Sequence, residues 1–253
     1  MQLKKTSSFR QLSHAITGVI KSPRKVSVGL WYKIYGWSDE SPSTPLPDAQ
    51  MERITPKDAT FKEISFTFSL IALAAQVARA DGTLTAEKYI AFREAFPLLG
   101  GVCMKIRSLF AIACENTVHF SHYVNQIKYV YPRNMPLYSE LVERLFRIAG
   151  ADGVVSPASE MMLAKIAHML GLSASQYTSI RDKNIGAPDA HQVLGVNKRA
   201  SATKIKKQYH ELMREYHPDR YATQELSPEV EMLLRLKASE INKAYKVLSK
   251  KAA

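Results

Sequence analysis

The sequence contains little cysteine, with only Cys103 and Cys114 in a chain of 253 residues. Two thiols cannot form the disulfide framework that small secreted domains use in place of a large core. A chain of this length buries a sizeable core without such cross-links. We therefore expect both cysteines to be buried thiols of a protein from a reducing compartment.

Long hydrophobic runs are also missing. The early apolar stretch from Val26 to Trp37 is interrupted by Lys33 and is well below the ~20 apolar residues that cross a membrane. It also lacks the small-residue cleavage pattern of a secretory signal. We therefore expect a cytoplasmic protein, with peripheral attachment to the inner face of the cell membrane as the alternative.

Acidic residues are in the minority, at 23 against 35 Lys and Arg, so the net charge is +12. Such an excess favours an acidic partner, whether protein, nucleic acid or anionic membrane. Residues 1–25 carry basic side chains and no acid, and an aromatic cluster follows between Trp31 and Trp37. Residues 1–37 are therefore a candidate contact with anionic lipid. We favour a solvated arm or a docked helix, because the charges form no dense cluster and Gly18 weakens a helix.

Motifs of enzymes and of nucleic-acid binders are absent from the sequence. No nucleophile elbow or phosphate-binding loop is found, so we predict no catalytic activity and no cofactor. Cys114, His119 and His122 have an uncommon spacing for zinc and no evident fourth ligand, so we predict no metal. An aromatic platform or recognition helix for nucleic acid is not found either, and we expect no nucleic-acid partner.

The remaining pattern is helical. The stretch from Phe61 to Ala80 is apolar nearly throughout and predicts a central buried helix. Glycine and proline breakers then separate further helix-length segments, and no stretch keeps the period-two alternation of a strand. We predict an all-α protein with a basic arm and Ser/Pro-rich linker over 1–50, a helical domain over 51–176, a linker over 177–188 and a second domain over 189–253.

The helical domain contains an internal repeat. Ala-Asp-Gly ends an apolar segment at Asp81 and again at Asp152, and a helix start follows each time. Thr85 and Ser156 are suitable N-cap residues for those helices. The repeat predicts a pseudo-symmetric helical bundle. The two aspartates are candidate metal or ligand groups, but we favour simple Asp-Gly turns because a calcium loop needs several more oxygen ligands.

The C-terminal region contains three helix-length patterns, at 189–194, 202–216 and from Pro228 to about Ser249. On the second of these, the apolar residues share one face while Lys206, Lys207 and Arg214 share the opposite face with His210. His217-Pro218-Asp219 follows directly, and proline ends the helix there. A helix hairpin is therefore expected to present this tripeptide at its tip, beside a basic face.

The segments DAHQVLGV, IKKQYHELMREYHPDR and ASEINKAYKVL resemble helices I, II and III of the J-domain family. The resemblance implies a co-chaperone that stimulates ATP hydrolysis by a DnaK-type chaperone in its ATP-bound state. It implies that the residues contacting this partner are His217, Pro218, Asp219, Lys206, Lys207, Arg214 and Arg220. His210 and Glu211 stand where many family members have two basic residues, which implies weaker or pH-dependent binding. The pattern also lacks the fourth helix of many J-domains.

The middle region, with FSLIALAAQVARADG and LFRIAGADGVVSPASE, resembles the TerB-like helical domain. A TerB-like domain before a C-terminal J-domain is the arrangement of DjlA-type co-chaperones of Gram-negative bacteria. The resemblance implies that the TerB-like domain provides targeting or binds a client or ligand. A membrane-surface adaptor and a basic nucleic-acid-binding protein remain the alternative interpretations.

Overall fold

Helices account for every regular element in the part of the chain that the structure describes. The computed structural model describes residues 59–97, 110–111, 113–114, 119–184, 189–221 and 226–251. The helices are α1 (Ala59–Ala78), α2 (Ala86–Ala95), α3 (Phe120–Val130), α4 (Met135–Ala149), α5 (Pro157–Leu170), α6 (Ala174–Asn184), α7 (Ala190–Leu194), α8 (Ala202–Tyr216) and α9 (Pro228–Lys251), with a 3-10 turn over Pro218–Tyr221. The all-α prediction is confirmed for these residues.

Helix α1 is the centre of the first bundle. It is apolar on nearly all sides, and from Ser65 onward almost every residue is buried. Helices α3, α4 and α5 pack around it, so little of α1 is exposed to solvent from Ser65 onward. The helix was predicted over 61–80; it begins two residues earlier and ends at Ala78, before the first Asp-Gly turn.

The two Asp-Gly turns have the same construction, as the repeat predicts. Gly82 and Gly153 adopt φ of 86° and 102°, which residues with a Cβ rarely accept. Thr85 then caps α2 by accepting a hydrogen bond from the amide of Lys88, and Ser156 caps α5 by accepting one from Ser159. The predicted turns, caps and pseudo-symmetric arrangement are confirmed.

One prediction about the chain between the bundles needs correction. Residues 177–184 were assigned to a linker, but they belong to α6, which begins at Ala174. The helix packs on α4 through the buried side chain of Ile180 and the partly buried side chain of Tyr177. This packing stabilises the helix although its sequence has weak helical periodicity. The proposed domain boundaries themselves stay predictions.

Several predictions fall on residues that the structure does not describe. These are the basic arm, the aromatic cluster and the Ser/Pro-rich linker within residues 1–58, together with Cys103. Within the described ranges, no helix is both long enough and apolar enough to cross a membrane.

The C-terminal helices form the predicted hairpin. Helix α7 is capped by Asp189, whose carboxylate and Gln192 form a reciprocal capping box. Helices α7 and α8 both pack against α9, which extends two residues beyond the predicted end at Ser249. The core of this hairpin is formed by Leu194, Ile205, Tyr216, Val230, Leu234, Ile241, Ala244 and Leu248.

Candidate functional site

The tripeptide lies where α8 ends. Helical geometry stops at Tyr216, and His217 is the C-cap residue with extended backbone. The 3-10 turn that follows is closed by a hydrogen bond from the amide of Arg220 to the carbonyl of His217, at 3.1 Å. The hydroxyl of Tyr221 donates to the carbonyl of Glu215 at 2.6 Å, which ties the turn back to the helix end. Local hydrogen bonds thus fix the backbone on both sides of the tripeptide.

Within the tripeptide, the backbone orients the imidazole of His217. The amide of Asp219 donates to His217 Nδ1 at 3.3 Å, and an Asp219 carboxylate oxygen lies 3.6 Å from the same nitrogen. Because Nδ1 accepts this hydrogen bond, a neutral imidazole carries its proton on Nε2. The two side chains are 46% and 87% exposed, so both are accessible to another protein.

The predicted basic face of α8 is exposed to solvent. Lys206, Lys207 and Arg214 all project from it, with His210 between them. Glu211 reduces its charge, because this carboxylate lies 4.0 Å from the ammonium of Lys207. The guanidinium of Arg220 turns back to the carbonyl of Arg214, at 3.4 Å. Lys206, Lys207 and Arg214 therefore lie along one exposed side of α8, with Arg214 and Arg220 at the end that carries the tripeptide.

The opposite face of α8 is fixed to α9. Tyr209 stacks on Tyr245 with ring centroids 4.1 Å apart, and its hydroxyl donates to Asn242 Oδ1 at 2.9 Å. Ile205 and Tyr216 are buried on the same side. A helix held in this way presents its exposed residues in a fixed arrangement.

A cluster of buried charges joins the hairpin to the helical bundle, and sequence reasoning missed it. We call it the interdomain charge cluster, formed by Glu140, Glu143, Arg144 and Arg147 of α4 with Lys237 and Glu240 of α9. The Lys237 ammonium donates to Glu143 at 2.6 Å and lies 3.4 Å from Glu140. Arg147 forms a bidentate pair with Glu240, at 3.1 Å for both nitrogens. Arg144 pairs with Glu140 at 2.6 Å.

Protonation in this cluster is set by competition between burial and pairing. Burial alone lowers the pKa of Lys237, but the surrounding carboxylates outweigh it and the pKa lies above its ordinary value. Burial raises the pKa of Glu143, yet the Lys237 ammonium and its other cationic neighbours bring it below the ordinary value. Lys183, a further neighbour of Glu143, has its pKa lowered by burial. The Lys237–Glu143 pair is therefore charged at neutral pH.

The position of Lys237 in the sequence is a signal that could have revealed this cluster. It falls in the apolar stripe of α9, between Leu234 and Ile241, and only about 4% of it is exposed. A lysine is rarely buried to this degree unless it is paired. A charged residue inside an apolar stripe indicates a partner, although the sequence does not say which residue supplies it.

Asp81 and Asp152, the aspartates of the two Asp-Gly turns, both form an ion pair with Lys88. The ammonium of Lys88 lies 2.7 Å from Asp81 and 3.3 Å from Asp152, and its side chain is fully buried. Asp81 also accepts hydrogen bonds from the amide and hydroxyl of Thr83, as an Asp-Gly turn requires. Because Lys88 already supplies the positive charge between the carboxylates, these residues do not fit a metal ion.

The residues weighed as zinc ligands have other roles. Cys114 is partly buried, and its thiol contacts the carbonyl of Ala75 at 3.7 Å. His119 caps α3 by accepting a hydrogen bond from the amide of Ser121. Across the described ranges, no group of three or more His, Cys, Asp or Glu side chains is placed to hold a metal ion.

Comparison with known proteins assigns a family to each of the two helical regions. The family model described as tellurite resistance protein TerB matches residues 67–182. The family model described as DnaJ domain matches residues 189–253 and therefore includes the tripeptide, its basic helix and α9. No solved structure shows a significant match to the chain.

The chain is also similar to curated co-chaperone proteins named DjlA. The co-chaperone protein DjlA of Vibrio vulnificus is 25% identical over 226 residues, which cover 75% of this chain and 79% of the relative. DjlA of Salmonella typhimurium is 33% identical over 131 residues, covering 42% of this chain and 48% of the relative. DjlA of Escherichia coli is 32% identical over 132 residues, covering 42% and 49%. Similarity to this one kind of co-chaperone thus extends over most of the chain.

Proposed function

We propose that this chain, which belongs to the DjlA-like co-chaperones with a TerB domain followed by a DnaJ domain, accelerates ATP hydrolysis by a DnaK-type chaperone. The observation that carries the proposal is that His217 and Asp219 are both exposed on one turn, at the end of the helix that bears the basic face. In this proposal the chain acts as a regulator of another protein's catalysis.

In this mechanism the basic face brings the partner to the tripeptide. Lys206, Lys207 and Arg214 attract an acidic surface of the chaperone, which raises the encounter rate at low salt. Arg220, beside the tripeptide, completes this surface. Exposed charges of this kind are screened within about 8 Å at physiological ionic strength, so the attraction weakens as salt is added.

The tripeptide then acts on the docked partner. His217 offers an Nε2 donor and Asp219 a carboxylate acceptor, and the backbone of Pro218 holds them on one turn. Contacts that are stronger in the hydrolysis-competent state of the chaperone shift its population toward that state. A group that binds both states of the chaperone equally does not change their populations. The function therefore depends on tighter binding of the tripeptide to the hydrolysis-competent state.

The TerB domain supplies targeting, or binds a client or ligand, in this proposal. Contact with an anionic membrane through residues 1–37 and a cytoplasmic location remain predictions from the sequence. Flotation with anionic liposomes, with and without residues 1–37, tests the membrane contact.

The proposal is tested by measuring steady-state ATP hydrolysis of a DnaK-type chaperone against the concentration of this chain. We expect stimulation by the wild type and none by His217→Gln, with unchanged circular dichroism because His217 is exposed. Lys206→Glu is expected to raise the half-saturating concentration without removing the maximal stimulation. Lys165→Glu, an exposed site on α5, is the control. Full stimulation by His217→Gln would contradict the proposal.

A further inference from the structure

The loop that carries the tripeptide is hydrogen-bonded to the TerB domain at Ser227, on the C-terminal side of the tripeptide. The amide of Ser227, just before α9, donates to the hydroxyl of Tyr131 at the end of α3, at 2.9 Å. The carbonyl of Tyr131 in turn accepts a hydrogen bond from Tyr138 of α4 at 2.6 Å. Ser227 is buried, so water does not compete for these bonds.

The near end of the loop is also buried. Tyr216, which directly precedes the tripeptide, is only 5% exposed. Burial raises the pKa of its hydroxyl, and the negative charges of Glu140 and Glu143 on α4 raise it further. The far end of the tripeptide loop is therefore hydrogen-bonded to the TerB domain, and its near end is held in the core.

The interdomain charge cluster is a further attachment of the hairpin to the TerB domain. Lys237 and Glu240 of α9 reach across to Glu143 and Arg147 of α4, and the Lys237 ammonium is nearly inaccessible to water. Removing one member of a buried ion pair leaves the other charge without compensation, which strongly disfavours the packed arrangement. Paired charges buried between two elements also favour one register of packing, because a shifted register leaves them unpaired.

We infer that the TerB domain is a positioning element for the tripeptide, and that Lys237 fixes the orientation of the hairpin on α4. The inference rests on the proposed function, since it concerns how the same tripeptide reaches its partner. Helix α9 packs on α4 as well as on α7 and α8, while the basic residues of α8 stay exposed. A chaperone that docks on α8 therefore meets the TerB domain in one fixed place beside it.

Loss of this constraint has a measurable cost for binding. A hairpin released from α4 samples many orientations, and the TerB domain obstructs the partner in some of them. The apparent affinity falls in proportion to the competent fraction, so a fraction of about one fifth raises the half-saturating concentration about fivefold. Maximal stimulation at saturation is retained, because the tripeptide itself is unchanged.

The test uses the full chain with two spin labels, one on the TerB domain and one on the hairpin. Cysteines replace the exposed Lys165 and Lys246, in a background in which Cys103 and Cys114 are serine. The distance distribution between the labels is measured by pulsed electron paramagnetic resonance. Chaperone stimulation is measured on the matching unlabelled proteins. We expect one narrow distribution for the parent and a broad one for Lys237→Met, with an about fivefold higher half-saturating concentration.

Three further variants separate positioning from folding. Lys243→Met alters an exposed lysine on the same helix and is expected to match the parent in both measurements. Lys237→Met leaves the cluster with one excess negative charge. Adding Glu143→Gln removes that charge, and Arg147 keeps Glu240 as its partner. The double variant is therefore expected to narrow the distance distribution again and to lower the half-saturating concentration. Glu240→Gln acts on the partly exposed pair with Arg147 and gives a second route to loosening if Lys237→Met does not fold.

The outcomes distinguish this inference from the proposed function. A broad distance distribution in Lys237→Met with an unchanged half-saturating concentration overturns the positioning role and leaves the proposed function intact. A narrow distribution in both Lys237→Met and Glu240→Gln overturns the role of the charge cluster. His217→Gln is expected to lose stimulation with the narrow distribution preserved. Absence of stimulation by the parent itself would overturn the proposed function and the positioning role together.

Discussion

Replacement of Lys88 by methionine tests whether the two Asp-Gly turns are held together by one buried cation. Methionine keeps the apolar stem of lysine and removes the ammonium that lies within 3.3 Å of both aspartates. Removing one member of a fully buried ion pair costs about 3–5 kcal/mol. Asp81 and Asp152 are 23% and 28% exposed, so water solvates them in part. We therefore expect a loss of about 2 kcal/mol in the free energy of unfolding.

That loss has a characteristic pH dependence. In the wild type, the hydrogen bond from Lys88 holds the pKa of Asp81 at about 2, below its ordinary value of 3.8. A depressed pKa contributes stability that is present above the ordinary value and is lost as pH falls toward the folded value. In Lys88→Met the carboxylates of Asp81 and Asp152 repel each other. Protonation of a carboxylate at low pH removes this repulsion and so stabilises the variant. The difference in stability between the two proteins is thus largest at neutral pH and shrinks below about pH 4.

The assay is thermal unfolding of the full chain, followed by circular dichroism at pH 7 and pH 3.5. A loss of about 2 kcal/mol lowers Tm by roughly 4–8 °C for a domain of this size. Lys165→Met, at an exposed position of α5, is the matched control and is expected to leave Tm unchanged. Asp81→Asn together with Asp152→Asn in the Lys88→Met background is expected to recover part of the loss. Equal Tm values for wild type and Lys88→Met at pH 7 would refute the reasoning.

Two further predictions concern the hairpin. Glu211→Gln releases Lys207 from its carboxylate neighbour and is expected to lower the half-saturating concentration for the chaperone about twofold at low salt; a persistent gain at 0.5 M salt would contradict an electrostatic cause. Tyr209→Phe removes the hydrogen bond to Asn242 and keeps the ring stack on Tyr245, so a loss of about 1 kcal/mol in chemical denaturation is expected. No loss in Tyr209→Phe would show that this hydrogen bond does not stabilise the hairpin.

Local signals in the sequence predicted where several helices begin. Thr85 and Ser156 each cap a helix as expected, because a side-chain oxygen placed before an apolar segment satisfies an amide within three residues. The end of α8 before the tripeptide was also predicted, because Pro218 disfavours helical geometry at His217 and the helix ends at Tyr216. Each of these features depends only on neighbours in the chain.

Features that depend on distant partners were not predicted. Lys237 pairs with Glu143, 94 residues earlier, and nothing near either residue identifies the other. Lys88 was treated as an ordinary residue of α2, although its ammonium joins both repeats. Helix α6 was taken for a connection because its own sequence is polar, and its packing on α4 determines its structure. Such pairings follow from the fold as a whole.

Single-turnover hydrolysis tests the central claim most directly. A DnaK-type chaperone is preloaded with ATP, freed of excess nucleotide and mixed with wild type or His217→Gln, and the rate of ADP formation is measured. Because only one turnover is followed, nucleotide exchange does not contribute. We predict that the wild type raises this rate at least about tenfold, equivalent to about 1.4 kcal/mol of the activation barrier, and that His217→Gln leaves it at the basal value. Equal rates with the wild type and with His217→Gln would contradict the account.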